Sequence, residues 1–195
     1  MVHGAIVHKG ALIGMNATVL DKADIGEGAI IAAGAVVTHG TKVPAHEIWA
    51  GILPEVLGFN QDGKEWTLAE LSGKKVVLYI YPRDSTPGCT NEACNLRDNY
   101  ERFLTEGYVV IGVSTQDAKS HKKFIEKNNL PFPLICDTEK TLVNELGVFG
   151  EKKMCGRVSM GVFRTTFIAD ENGVITRIIG PKEIKVKEHA SQILG

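Results

Sequence analysis

No apolar run in this chain approaches the roughly 18–20 residues that a membrane-spanning helix requires. The opening residues, Met1-Val2-His3-Gly4-Ala5, have neither the basic start nor the apolar stretch of a secretory signal, so a cytoplasmic location is expected. Excess charge is missing too. Lys and Arg number 22 against 23 Asp and Glu, a formal net charge of −1, which gives neither nucleic acid nor an anionic membrane a reason to bind. Cysteine is scarce: four residues at irregular spacing exclude a secreted disulfide framework. Cys89 and Cys94 lie five apart with no companion pair at ligand spacing, so no metal and no cofactor is expected. The Cys-x-x-Cys spacing of a thioredoxin-type dithiol oxidoreductase is also absent. With 44% apolar residues in 195, the chain still has enough to bury one large core or two small ones.

What the sequence does have, at its start, is a repeat. An aliphatic residue recurs every six positions at Val7, Ile13, Val19, Ile25, Ile31, Val37 and Val43. Four positions after each of the first six stands a small residue: Ala11, Ala17, Ala23, Ala29, Ala35 and Thr41. A period of six fits neither a helix of 3.6 residues per turn nor simple strand alternation. It fits a parallel β-helix of short strands whose apolar residues stack inward from coil to coil. Residues 1–51 are therefore expected to form one domain and residues 52–195 a second, with no Gly/Ser-rich linker between them.

The repeat resembles the hexapeptide, left-handed β-helix family, and LIGMNATVLDKADIGEGAIIAAGAVVTHGTKVP is most similar to the last coils of γ-class carbonic anhydrase-like proteins. In that family three histidines hold zinc, the last of them in a His-Gly pair. His3-Gly4 occupies that place, and the other two ligands would lie upstream of residue 1, so the segment reads as truncated and without zinc activity. His8, His39 and His46 read as solvated turn residues. Fewer than three triangular coils bury little, and the resemblance implies a possible trimer or an appended remnant. The segment Ala50-Gly51-Ile52-Leu53-Pro54 resembles the end of such a helix.

Past Leu57 the pattern changes. Asn60-Gln61-Asp62-Gly63 is a hairpin-type turn, Trp66 to Leu68 is extended, and Leu68 to Leu71 makes a brief helical turn. Strands are expected at 76–80, 108–114, 132–136, 164–169 and 174–179. Helices are expected at 91–104, 118–128, 140–146 and 185–194. Apolar strands interleaved with helices give an α/β domain with a covered central sheet.

Between the first of these strands and its helix runs YPRDSTPGCTNEACNLRD, residues 81–98. Cys89 follows Pro82 and Thr86 at a Pro-x-x-x-Thr-x-x-Cys spacing, where a helix start offers free N–H groups and a positive dipole end to a thiolate. The junction is expected to expose Cys89, with Thr90 as the better helix cap. Residues 54–195 resemble the peroxiredoxin family, in its bacterioferritin-comigratory or peroxiredoxin Q subgroup. The resemblance rests on residues 81–100, on the strand VVIGVS and on RTTFIADENGVI.

That resemblance implies a thioredoxin-like α/β fold and a thioredoxin-dependent peroxidase acting on hydrogen peroxide and organic hydroperoxides. Cys89 is then the peroxidatic nucleophile, with Thr86 and Arg164 as its polar partners and Pro82 as its shield. Cys94, five residues on, is the resolving cysteine, and thioredoxin or a similar dithiol is the reductant. This domain is expected to be monomeric. Within a helix, Cα atoms five residues apart lie about 8–9 Å from each other. A disulfide needs less than about 7 Å, so the helix must unwind for the bridge to form. Cys136 reads as a small core residue at a strand end, and Cys155 as an extra thiol in a solvated Lys-rich loop, 151–156, whose lysines add positive potential near the thiolate.

Overall fold

The structure, a computed structural model, describes residues 2–14, 17–32, 35–37, 39–49, 53–154 and 157–195. The chain divides into two compact units, one of the residues up to Leu53 with Val174–Ile178, the other of Pro54–Gly173 with Ile179–Gly195. The expected domain boundary at Ile52, with Ala50 and Gly51, lies outside the described residues.

Among the described residues of the first unit eight two-residue strands follow one another: β1 (Ile6–Val7), β2 (Leu12–Ile13), β3 (Thr18–Val19), β4 (Asp24–Ile25), β5 (Ile30–Ile31), β6 (Val36–Val37), β7 (Lys42–Val43) and β8 (Ile48–Trp49). They form three short parallel sheets, ordered β1-β4-β7, β2-β5-β8 and β3-β6. Paired residues stand eighteen positions apart, three sequence repeats: Val7 beside Ile25, Ile25 beside Val43, Ile13 beside Ile31, Val19 beside Val37. The period of six thus stacks like residues on like. Val19, Ile25, Ile31, Val37 and Val43 are at most 2% exposed, and Ala17, Ala23, Ala29 and Ala35 at most 3%. Each buried aliphatic contributes about 1.5–3 kcal/mol. The first coil is different, with Ile6, Val7 and Leu12 exposed. Coils approach so closely that a Cβ at Gly26 would lie 2.5 Å from the Ala45 nitrogen, which only glycine avoids.

The second unit opens with a hairpin of β9 (Val56–Phe59) and β10 (Glu65–Thr67), whose turn is closed by the Asn60 side chain accepting from the Asp62 and Lys64 amides. A 3-10 turn, Ala69–Leu71, follows. The sheet strands are β11 (Lys75–Ile80), β12 (Tyr108–Ser114), β13 (Leu134–Cys136), β16 (Thr165–Ala169) and β17 (Ile175–Ile179), ordered β13-β12-β11-β16-β17. β11 pairs in parallel with β12 and antiparallel with β16. The central strand reads as an unbroken apolar run because both faces are covered: Val76 through Ile80 have no exposure. The described helices are α1 (Pro87–Asp98), α2 (Tyr100–Thr105), α3 (Ala118–Asn128), α4 (Thr141–Glu145) and α5 (His189–Leu194). Val77 and Tyr79 of β11, with Tyr81 just beyond it, join a core with residues of four of them. That core takes Ala93 and Leu96 of α1, Phe103 of α2, Phe124 of α3 and Ala190 and Ile193 of α5.

Four features differ from the sequence reading. α1 begins at Pro87, four residues before the expected start. The fixed φ of a proline suits the first helical position, and Thr86 stands extended at its N-cap. One expected helix is two, since Asn99 departs from helical geometry (φ −110°) and its amide donates to the Asn95 carbonyl. The expected Lys-rich loop is a hairpin, β14 (Phe149–Met154) and β15 (Arg157–Val162), paired from Phe149 with Val162 to Met154 with Arg157. Cys155 lies outside the described residues. The closing helix starts at His189 rather than 185, the intervening chain being held by the Lys185 amide donating to Gln192 Oε1. No described helix is long and apolar enough to cross a membrane.

Candidate active site

The register of the sheet sets the geometry of the site. Ile80, the last residue of β11, pairs with Thr165, so Arg164 arrives level with the start of the loop that carries Cys89. There Arg164 Nη2 donates to Cys89 Sγ at 3.1 Å. Cys89 is the third residue of α1, where backbone N–H groups have no partner one turn back. A guanidinium and a helix N-terminus therefore converge on one sulfur.

The sulfur is not exposed as the sequence suggests. Cys89 is 1% exposed and joins the core cluster, the Arg164 side chain lying over the first turn of α1 within 3.5 Å of a Cβ placed at Gly88. Nor does Thr90 cap the helix. Thr90 lies inside α1 and its amide donates to the Thr86 carbonyl at 2.8 Å. Thr86 is the N-cap, with no side-chain cap bond; its hydroxyl donates to the Arg83 carbonyl at 3.1 Å. Because a hydroxyl has one proton and two lone pairs, Thr86 Oγ1 keeps room to accept. Pro82 lies half-buried in the same loop.

The loop itself is pinned to α3. Tyr81 donates its hydroxyl to Asp84 Oδ1 at 2.7 Å, and Ser120 Oγ donates to Asp84 Oδ2 at 2.6 Å. His121 Nδ1 meets the same oxygen at 2.9 Å, and its Nε2 meets the Ile135 carbonyl at 3.1 Å. Burial pushes the Asp84 carboxyl up, but hydrogen bonds from His121 and Ser120, with the charge of His121, bring it below the usual carboxylate range. This cluster, which the sequence reading missed, fixes the loop across which Ser85 adopts a positive φ of 57°. His121 falls on the inward stripe of α3 with Phe124 and Asn128, a polar residue on a buried face, which is the signal that could have found it.

Glu92 was missed for the same reason. It sits one turn after Cys89 on the buried face of α1, fully buried, and one carboxylate oxygen is ion-paired with Arg164 Nη1. Burial, countered in part by Arg164, pushes this carboxyl up to about 7. The other oxygen, Oε1, has no hydrogen-bond partner among the described residues and lies 3.8 Å from His189 Nε2. Burial works against the charge of Arg164, while Glu92 and then Cys89 outweigh it and hold the guanidinium above its ordinary value. Lys152 of β14, stacked over the Phe163 ring at 5.3 Å, faces the same charges. Burial and Arg164 push its ammonium down, and Cys89 opposes them.

Cys94, half-buried on α1, donates to Asn128 Oδ1 at 3.8 Å. Cys136 is half-buried at the end of β13 rather than in the core, and burial, with Asp84, pushes its thiol up to about 11. In the first unit His3 Nδ1 meets Asp21 Oδ1 at 2.5 Å and His8 Nε2 meets Asp24 Oδ1 at 2.7 Å, while His39 and His46 are exposed turn residues. Among the described residues no three His, Cys, Asp or Glu side chains group as a metal would need.

Comparison with known proteins gives this site a context. Residues 45–178 match the AhpC/TSA family, and residues 4–39 match the bacterial transferase hexapeptide family (six repeats). The chain is 43% identical over 134 residues to a putative peroxiredoxin bcp of Coxiella burnetii, covering 69% of this chain and 87% of that protein. It is 44% identical over 133 residues to peroxiredoxin Bcp of Bacillus subtilis, covering 68% and 83%. Among solved structures, Xanthomonas campestris peroxiredoxin Q superposes with a TM-score of 0.65 at 34% identity, covering 70% of this chain and 85% of that one. A further structure of that organism's bacterioferritin comigratory protein, described for its alkyl peroxide reduction activity, matches at 33% identity with the same TM-score and coverage. The thioredoxin-like architecture expected from the sequence is thus that of its relatives, and the chain belongs to the AhpC/TSA family, among its Bcp and peroxiredoxin Q members.

Proposed function

We propose that this protein is a thiol-dependent peroxidase in which Cys89 is the peroxidatic nucleophile. The observation that carries the reading is the Arg164 guanidinium donating to Cys89 Sγ at 3.1 Å on the first turn of α1. A thiolate is the attacking species, and an adjacent cation and helix dipole favour it. The thiolate attacks one oxygen of a hydroperoxide, the O–O bond breaks, and the other oxygen leaves as an alkoxide that takes a proton to become the alcohol. Cys89 is left as a sulfenic acid. Arg164 and the unpaired amides of the first turn of α1 face the oxygen on which charge grows. Thr86 Oγ1, whose proton is committed to the Arg83 carbonyl, accepts from the hydroperoxide O–H. Pro82 shields the sulfenic acid from water. Cys94 then resolves Cys89 as a disulfide, which α1 must unwind to permit, and thioredoxin or a similar dithiol reduces it.

Peroxide consumption coupled to thioredoxin and its reductase tests this. Cys89→Ser is expected to abolish turnover, and Cys94→Ser to abolish thioredoxin-coupled turnover while leaving a single round of peroxide reduction. Full activity in Cys89→Ser would falsify the assignment. Peptide mass analysis after peroxide treatment is expected to find a Cys89–Cys94 bridge, and its absence removes Cys94 as resolver.

For residues 1–51 the reading is a left-handed β-helix, supported by pairing at eighteen-residue spacing in three parallel ladders. Two roles fit it: an oligomerisation module, or a fused remnant of a carbonic anhydrase-like protein without zinc activity. A monomer mass by light scattering excludes the first, and bound zinc in the purified protein excludes the second.

A further inference from the structure

Around Cys94 three polar contacts meet at one residue of α3. Asn128 is the last residue of α3 and is only 8% exposed. Its amide Nδ2 is committed to the Phe124 carbonyl at 2.8 Å, which orients Oδ1 towards Cys94 Sγ at 3.8 Å. The carbonyl of Asn128, at a helix end where intrahelical donors run out, accepts from Arg97 Nη1 at 2.6 Å. Arg97 stands three residues after Cys94 and therefore on the same face of α1. Its Nε and Nη2 are fixed on Asp98 Oδ1 at 2.9 and 2.7 Å. The guanidinium is thus held between Asn128 and Asp98 on the face of α1 that carries Cys94. The hydrogen bonds to Asp98 support its charge most; desolvation opposes, and the charge of the Cys94 sulfur adds to the support.

We propose that Arg97 is a positioning residue for the resolving step, held by Asn128 so that it readies Cys94 to leave its proton and attack. The inference rests on Cys94 being the resolver. In that step Cys94 gives up its thiol proton and its sulfur attacks Cys89 Sγ of the sulfenic acid. The S–S bond forms, the S–O bond breaks, and the departing hydroxide takes a proton to leave as water. Asn128 Oδ1 accepts from the thiol and Arg97 favours the thiolate, so the pair covers both states of the sulfur. The same two contacts tie α1 to α3 until Cys94 departs.

Two measurements on the full chain test this. In the first, reduced protein receives one equivalent of hydrogen peroxide and is quenched with N-ethylmaleimide at intervals, and disulfide is counted by mass. Arg97→Met is expected to slow disulfide formation about tenfold at neutral pH, the deficit closing at alkaline pH where a thiol ionises unaided. Arg97→Lys restores most of the rate. In the second, iodoacetamide alkylation of Cys94 is followed in a Cys89→Ser background, which needs no peroxide chemistry. Arg97→Met, and Asn128→Asp, which sets a carboxylate beside the sulfur, are each expected to slow it about tenfold. Alkylation at the parent rate in both variants overturns the inference. So does faster disulfide formation in Arg97→Met, which reduces Arg97 to a tether between α1 and α3. A parent chain that forms no Cys89–Cys94 bridge overturns the functional reading and the inference with it, and the alkylation rates tell that failure from the others.

Discussion

Glu92 is the buried group whose ionisation has the largest calculable consequence. Its carboxyl ordinarily titrates near 4.5 and is pushed up to about 7 by burial, even with Arg164 beside it. Between those two values the folded chain keeps a proton that the unfolded chain releases, so stability falls as pH rises across the window. Above about 7 the full cost is present, on the order of 3 kcal/mol; below 4.5 it vanishes. Glu92→Gln keeps an oxygen acceptor for Arg164 and cannot ionise. The variant is therefore expected to match the wild type near pH 4.5 and to exceed it by about 3 kcal/mol at pH 8. For a chain of this size that is roughly 6–12 °C in Tm. Thermal unfolding at the two pH values, followed by helical circular dichroism, reads this well because the described helices all lie beyond Pro54. Comparing variant with wild type at each pH cancels the other titrating groups. An offset that does not change with pH would refute the reasoning. A variant less stable at pH 8 would mean that the ion pair with Arg164 outweighs the burial of Glu92.

Other perturbations act on neighbouring contacts. Arg164→Lys is expected to lower the second-order rate of Cys89 with peroxide about a hundredfold, because an ammonium cannot fork between Cys89 and Glu92 as the guanidinium does; rapid-mixing kinetics measure it. Asp84→Ala leaves Tyr81, Ser120 and His121 without their shared acceptor and is expected to cost about 3–5 kcal/mol in urea unfolding. The stability owed to Asp84 is present above the ordinary carboxylate range and is lost as pH falls through its lowered folded value. Cys136, with its thiol pushed up to about 11, is expected to alkylate about a hundredfold more slowly than an ordinary thiol at pH 8, resolved by peptide mass.

The parts of this fold that were legible in the sequence are those where one periodicity or one local rule decides. The six-residue repeat fixes which residues face inward, and Val19 through Val43 are buried in that register. The helix Ala118–Asn128 is bounded by an Asp117 N-cap that accepts from the Ser120 amide and by Asn129 in the left-handed region. The Pro, Thr and Cys of the loop are local to one another. What was not legible is what depends on partners distant in sequence. Whether Cys89 is covered depends on a side chain 75 residues away. In the 149–162 hairpin β14 has no apolar alternation to mark it, while β15 does, at Val158, Met160 and Val162, and the ladder joins that strand to one carrying three consecutive charged residues. Glu92 and His121 pass unmarked in the sequence because their types are usually solvated, although each stands on a stripe that the neighbouring Leu96 or Phe124 marks as inward.

The two demands on α1 pull in opposite directions, and the distribution of its contacts reconciles them. Under the proposed function, activation needs an intact first turn, with Cys89 among free amides and against Arg164, and resolution by Cys94 needs the turns between the two cysteines to open. The ties along the rest of the helix are side-chain contacts made one by one. Asn95 accepts from the Ala190 amide and donates to the Lys187 carbonyl, Arg97 holds Asn128, and the Cys94 thiol rests on Asn128. At about 0.5–1.5 kcal/mol each, such bonds sum to a few kcal/mol, and the burial of Ala93 in the opening turns adds about 1 kcal/mol, less together than the 5–15 kcal/mol that holds a domain together. Opening α1 is thus a local event that the sheet survives, since β11 keeps its ladders to β12 and β16 whatever α1 does. In the proposed cycle, oxidation of Cys89 alters the sulfur that Arg164 contacts, so the chemistry acts on the same helix end that the next step must move.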